Sequence, residues 1–287
     1  MPLAEVDLHL HTTASDGRLT PRQLVQLLVK NGVRYAAITD HDTTAGLAEA
    51  LDEARLHPSL TLVPGVEFSC DVPGGEVHLL GLFIDHQDPA LQRQLEHARD
   101  DREGRAKRIV EKLRDIGFPV DWEQVDRIAG DASIGRPHIA LAMMERGYVT
   151  TTDEAFERFL GRNGPAYAER EKITPVEAIQ RVLQYRGVPV LAHPTFTAGV
   201  ERMLPGMCAA GLAGMEVFYK GYAPDTVGWL LALARRHNLA PSGGSDYHAL
   251  PGHGEVLPGT VGPPVAVFRQ LEALAAKRRE TQAVQPR

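Results

Sequence analysis

The chain has 287 residues, 43% of them hydrophobic and 24% charged, with a formal net charge of −6. That length and composition suit one large globular α/β domain, or a domain with a sizeable insertion. The acidic balance speaks against duplex DNA as a partner, though not against a nucleotide or short oligonucleotide. No apolar run approaches the ~20 residues that span a bilayer, so no membrane association is expected. The start, Met1 to Asp7, lacks the basic and apolar regions of a signal peptide. The only cysteines, Cys70 and Cys208, give no disulfide framework and fit a reducing cytoplasm. Cys70 reads as a small buried thiol.

Short β-like runs recur at Val6–His11, Tyr35–Thr39, Thr61–Glu67, Val77–Ile84, Val188–His193, Gly214–Tyr219 and Ala240–Asp246. Thr20-Pro21-Arg22-Gln23 predicts a helix start, with an N-cap, a proline at N1 and a glutamine at N3, and Gly32 can close that helix. Gly46–His57 places Leu47, Ala50, Leu51 and Ala54 on one helical face. This alternation predicts a parallel sheet, either a barrel or a doubly wound sheet.

Between Asp85 and Val188 lie 102 residues, too many for a structureless loop. Pro89–Ile116, Pro137–Arg146, Thr152–Leu160 and Pro175–Arg186 read as helices. Residues 86–187 are therefore expected to form an inserted helical subdomain over a barrel built from 1–85 and 188–287. The mixed charges from Arg99 to Arg108 read as a solvated helix face. The polar end, Lys277–Arg287, is expected to fray.

Imidazoles and carboxylates stand where the apolar runs end. They are His9, His11 and Asp16, then His41, Glu67, His78, His193, Asp246 and His248. These are ligand types for Zn²⁺, Mn²⁺ and Fe ions. Each fragment alone is weak, because a His-x-His on a strand is more often structural. Nine such groups at strand ends are hard to place by accident, since buried polar groups without partners are costly. Barrel enzymes build their sites at the carboxyl ends of the strands, which favours a barrel. His78 breaks that pattern by lying near the start of its run, as it would if this strand ran antiparallel or entered the site differently. Such multinuclear sites usually hydrolyse phosphate esters.

His9-Leu10-His11 with Asp16, Thr39-Asp40-His41, Gly65-Val66-Glu67, His78, His193-Pro194 and Ser245-Asp246-Tyr247-His248 resemble, in order, the motifs of the polymerase and histidinol phosphatase (PHP) superfamily. The resemblance implies a distorted seven-stranded (β/α) barrel with two to three divalent ions, Mn²⁺, Fe²⁺ or Zn²⁺. It assigns His9, His11, Glu67 and Asp246 to one ion, Glu67, His78 and His193 to a second, and Asp16, His41 and His248 to a third. Many relatives carry histidine where Asp16 stands, and a carboxylate shifts preference toward Mn²⁺ or Fe²⁺. A hydroxide bridging two ions would be the nucleophile, with no protein base required. Asp40 is either an orienting partner of His41 or a solvated turn residue.

Gly135-Arg136-Pro137-His138-Ile139-Ala140 and Gly161-Arg162-Asn163-Gly164-Pro165-Ala166-Tyr167 resemble the bacterial nucleoside 3′,5′-bisphosphate phosphatases, some described as 5′→3′ exoribonucleases. Pro137 suits the start of a helix, so Arg136 and His138 are candidates to bind a substrate phosphate at a helix N-terminus. The alternative is that Arg136 pairs with a carboxylate such as Asp131. The expected activity is metal-dependent phosphomonoester hydrolysis of a nucleotide or a short oligonucleotide 5′ end. The rivals are a histidinol-phosphate phosphatase on the same fold, a proofreading exonuclease, and a non-catalytic metal-stabilised binding module.

Overall fold

The computed structural model describes residues 4–72, 75–130, 132–169, 173–250 and 255–283. Its seven strands are β1 (Val6–Asp7), β2 (Tyr35–Ile38), β3 (Thr61–Val72), β4 (Gly75–Leu82), β5 (Val188–Leu191), β6 (Gly214–Tyr219) and β7 (Ala240–Gly244). They follow one another around a single sheet in chain order. All neighbours are parallel except β4, which is antiparallel to both β3 and β5. The reversed β4 accounts for His78: a residue near the start of this strand lies at the same end of the barrel as residues that finish the others. It faces Ser69 in the β3 ladder, two residues beyond Glu67.

β1, β2, β5 and β7 stop short of the apolar runs that predicted them, because the chain leaves the ladder where the ligand-type residues begin. Asp42 (φ 51°), His193 (φ 25°) and Asp246 (φ 48°) all have positive φ. For residues with a side chain that conformation is costly, and its repetition at one end of the barrel marks a site held by its surroundings.

Helices α1 (Pro21–Lys30) and α2 (Leu47–Ala54) flank the first strands. Thr20 caps α1, with reciprocal bonds to Gln23, and Gly32 follows with φ 75°. After β4 come α3 (Pro89–Asp115), α4 (Trp122–Ala129), α5 (Arg136–Glu145), α6 (Thr152–Ala155) continuing into a π-helical turn (Phe156–Leu160), and α7 (Pro175–Gln184). The barrel is completed by α8 (Val200–Ala210), α9 (Pro224–Arg236) and α10 (Val265–Ala283).

Packing narrows the expected insertion. A separate core runs from Ala106 to Ala168, through Ile109, Leu113, Val125, Ile139, Met143 and Phe159. By contrast Ala178, Ile179 and Val182 of α7, and Leu91 and Leu95 at the start of α3, pack into the barrel with Val66, Leu79 and Leu191. The apolar face of α7 closes over β3–β5, so α7 is a barrel helix, not part of the inserted unit. The expected fraying is also corrected as far as Ala283. Lys277–Ala283 continues α10, and this stretch is tied down by Arg278 to the Gly187 carbonyl at 2.7 Å and Arg279 to the Phe83 carbonyl at 3.1 Å. Residues 284–287 lie outside the described residues. Cys70 is buried in the barrel core, as its reading as a small thiol anticipated.

Candidate metal centre

The nine ligand-type residues, scattered from position 9 to position 248, converge at one end of the barrel; seven of them line a cavity of about 520 Å³, and His9 and His11 lie buried behind, against Glu67 and Asp246. Glu67 lies at the middle. Its Oε2 is 3.2 Å from His9 Nε2, from His11 Nε2 and from His41 Nδ1. Its Oε1 is 2.9 Å from His78 Nδ1 and 3.3 Å from His193 Nε2. Asp246 Oδ1 lies 3.2 Å from His9 Nε2 and 3.1 Å from His11 Nε2. Asp16 is 3.4 Å from His248 Nε2 and 3.8 Å from His41 Nε2.

These spacings suit coordination. Two donors bound to one ion at ~2.1 Å lie about 3.0–3.4 Å apart, in octahedral or tetrahedral geometry. His11 Nε2 and His41 Nδ1 are buried, and among the described residues neither has a hydrogen-bond partner. Orphaned buried nitrogens facing a carboxylate are what a cation between them would satisfy. The mixed imidazole and carboxylate donors fit Mn²⁺, Fe²⁺ or Zn²⁺. The charges are strongly coupled. Burial would raise the carboxyls of Glu67, Asp16 and Asp246, but the surrounding imidazoles hold all three well below the usual range. Burial would lower His11, yet the Asp246 and Glu67 carboxylates push it up to about 10. Burial wins at His41, which falls to about 3.

Asp40 is buried, and it serves the Thr12–Asp16 turn instead of His41. It accepts from the Thr12 amide and hydroxyl, both at 2.7 Å, and from the Ser15 hydroxyl at 2.6 Å. Ser15 and the Asp16 carboxylate are in turn bonded at 3.1 Å. The insertion braces the same turn, through the Ser133 amide on the Ala14 carbonyl at 3.0 Å.

Arg136 lines the cavity and pairs with Glu76. Its alternative partner, Asp131, lies outside the described residues. His138 is turned away from the cavity. Its Nδ1 accepts from the Gly135 amide at 3.0 Å, its ring is also bonded to the Ser15 backbone, and burial lowers it to about 4. The neutral ring caps α5 and leaves no donor for a phosphate. Arg162 donates to the Gly75 carbonyl at 2.7 Å, so the second insertion motif braces the β3–β4 hairpin.

Several residues of the site escaped sequence reading. Arg102 and Arg105, taken as part of a solvated face, are buried and line the cavity. Arg102 donates to Asp42 at 2.8 Å, and Arg105 lies 3.2 Å from Glu76. Their neighbours Glu103 and Lys107 form the solvated pair that the charge pattern suggested. Glu216 is completely buried beside His9; a carboxylate inside the run Gly214–Tyr219 was the available signal. Tyr219 donates to Asp246 Oδ2 at 2.6 Å, and Lys220 to the Asp246 carbonyl at 2.7 Å. Asp7, raised by burial to about 6, accepts the Ser245 amide at 2.9 Å and the Gly259 amide at 3.2 Å.

Comparison with known proteins agrees with this geometry. The PHP domain profile matches residues 7–151. The 5′-3′ exoribonuclease Rnm of Salmonella typhimurium is 36% identical over 247 residues, 84% of each chain. The 3′,5′-nucleoside bisphosphate phosphatase of Chromobacterium violaceum is 32% identical over 282 residues, 94% of this chain and 98% of that one. A solved structure of an amidohydrolase from Chromobacterium violaceum, with bound sulfate and no metal, superposes with a TM-score of 0.86 over 94% of this chain and 97% of the other, at 32% identity. The profile agrees over half of the chain, and sequence and fold over most of its length: the chain belongs to the PHP domain family.

Proposed function

We propose that this chain is a metal-dependent phosphoesterase that hydrolyses a phosphate monoester of a nucleotide carrying a second phosphate, or of the 5′ end of a short oligonucleotide. One observation carries the reading. Seven members of the nine-residue cluster line a cavity that is also lined by Arg102, Arg105 and Arg136. The proposed ligand groups are His9, His11, Glu67 and Asp246; Glu67, His78 and His193; and Asp16, His41 and His248.

When bound, divalent cations there supply Lewis acidity, lowering the pKa of water toward ~7 and neutralising phosphoryl charge. The protein's own part is positioning. The arginines offer guanidinium donors to a phosphate that is not being cleaved. Asp42 and Glu76 hold those guanidinia in place. Phe156 and Phe196 line the same cavity, and Phe196 is 67% exposed. The Arg136 guanidinium lies 5.3 Å over the Phe156 ring, so Phe196 is the ring whose exposed face suits stacking by a base without reading its identity. The relatives named as an exoribonuclease and a bisphosphate phosphatase support the nucleotide class, and the sulfate-bound relative supports anion binding.

The test is phosphate release with Mn²⁺ supplied, across nucleoside 3′,5′-bisphosphates, 5′-phosphorylated dinucleotides and histidinol phosphate. The expected order puts a nucleotide substrate first and gives no release after chelation. Faster turnover of histidinol phosphate would replace this reading with its nearest rival. Metal binding without hydrolysis of any substrate would favour a binding module.

A further inference from the structure

β6 is the strand with none of the nine ligand-type residues on it or in the few residues beyond its end, yet Glu216 on it is 0% exposed. A buried carboxylate is costly unless its partners repay desolvation. Its partners here are two members of the cluster. His9 Nδ1 lies 3.2 Å from both carboxylate oxygens, and the His193 backbone amide donates to Oε2 at 2.7 Å. A register shift between Glu216 and Phe218 makes these contacts compatible with the strand. Without it, residues 216 and 219 would face opposite sides of the sheet. With it, Glu216 reaches His9 while Tyr219 reaches Asp246. A bulge that re-aims side chains beside a site is a recurrent device.

The two contacts act differently. A carboxylate on Nδ1 keeps the proton of His9 there and turns the Nε2 lone pair toward Glu67 and Asp246. The bond to the His193 amide holds a residue whose φ of 25° is unfavourable for a side chain. That turn carries His193 Nε2 to within 3.3 Å of the other Glu67 oxygen. We infer that Glu216 is a positioning residue that aims one ligand of each of two neighbouring metal positions, so that both depend on a single carboxylate.

This inference rests on the metal reading above, and the experiment separates the two. Metal-stripped wild type and Glu216→Gln are titrated with Mn²⁺ by calorimetry and equilibrium dialysis, and melting of both metal-stripped proteins is recorded. Loss of a partner behind a ligand typically costs 10- to 100-fold in metal affinity. The expected result is a loss of that size at the equivalents held by His9 and His193, with the position formed by Asp16, His41 and His248 unchanged. Glu216→Asp, which restores the charge on a shorter arm, should recover part of the loss. Unchanged Mn²⁺ affinity in Glu216→Gln overturns the assignment while leaving the metal reading intact. Equal weakening of all positions, together with a lowered melting temperature of the stripped protein, makes Glu216 a general structural residue and also overturns it. Absence of Mn²⁺ binding by wild type removes the metal reading and this inference together.

Discussion

At the scale of single residues, Glu67 and Arg136 carry the sharpest consequences. The two oxygens of Glu67 face different histidines: His9, His11 and His41 on one side, His78 and His193 on the other. Glu67→Ala should therefore strip at least two metal equivalents together and nearly abolish phosphate release, as read by elemental analysis beside turnover. Retention of most activity would show that Glu67 bridges nothing. Arg136 reaches the cavity while Glu76 keeps Arg105 as a second partner, so its removal leaves no unpaired carboxylate. Loss of a charge-assisted hydrogen bond costs about 1.5–3 kcal/mol, or roughly 10- to 150-fold. Arg136→Ala should lower kcat/KM by that factor for a 3′,5′-bisphosphate and leave a substrate with only the scissile phosphate nearly unaffected. Equal losses on both substrates would put Arg136 at the reacting phosphate. His9, His11, Glu67, His78, His193 and Asp246 stood out as candidates because each interrupts or ends a largely apolar run, and Asp16, His41 and His248 because they follow such runs within a few residues. Arg102 and Arg105 did not, because helix periodicity cannot tell which charges of a mixed run another segment will cover. Here β4 and the loop after β2 cover them with Glu76 and Asp42.

At the scale of elements, all seven β-like runs correspond to strands, and of the two explanations open for the misplaced His78 the reversed strand is the one observed. The insertion's boundary was harder to read. The amphipathic face of α7 looks the same whether it covers a sheet or other helices, and only its contacts with Val66 and Leu191 show which. His138 gives the insertion a pH response. Its imidazole is lowered from 6.5 to about 4 because burial opposes the charge and Nδ1 must accept from Gly135. Between those values the unfolded chain binds a proton that the folded chain refuses, so stability is lost as pH falls from about 6.5 toward 4. The full shift corresponds to somewhat over ~3 kcal/mol, of which about 2–3 kcal/mol is lost by pH 4.5. His138→Gln keeps an acceptor without titrating. The gap in unfolding free energy between wild type and this variant should shift by about that amount, toward the variant, between pH 7.5 and pH 4.5. Trp122 fluorescence in a Trp229→Phe background would follow it. A gap that does not change with pH would mean that the ring accommodates its proton.

At the scale of the whole molecule, the barrel closes along one line. β1 and β7 end the sheet order, and they meet through the Leu8 amide on the Gly243 carbonyl at 3.2 Å, Asp246 on His9 at 2.9 Å and His11 on Tyr247 at 3.1 Å. Gly244 permits this approach, since a Cβ there would lie 2.5 Å from the His9 amide nitrogen. The side chains that flank this line are proposed ligands: His9 and His11 on one edge, Asp246 and His248 on the other. The β3–β4 hairpin is the opposite case, with a long ladder between segments adjacent in the chain. The cations would therefore act as rivets, fastening ends of the fold that are 238 residues apart between Asp7 and Ser245. Chelation should speed deuterium uptake at Leu8–His11 and Gly243–His248 while the hairpin amides stay slow. Uniform uptake across both regions would mean that the closure holds without its rivets. If the rivets matter, the last step of folding waits on metal supply, and a chain made in metal-poor conditions keeps its barrel ajar along this line.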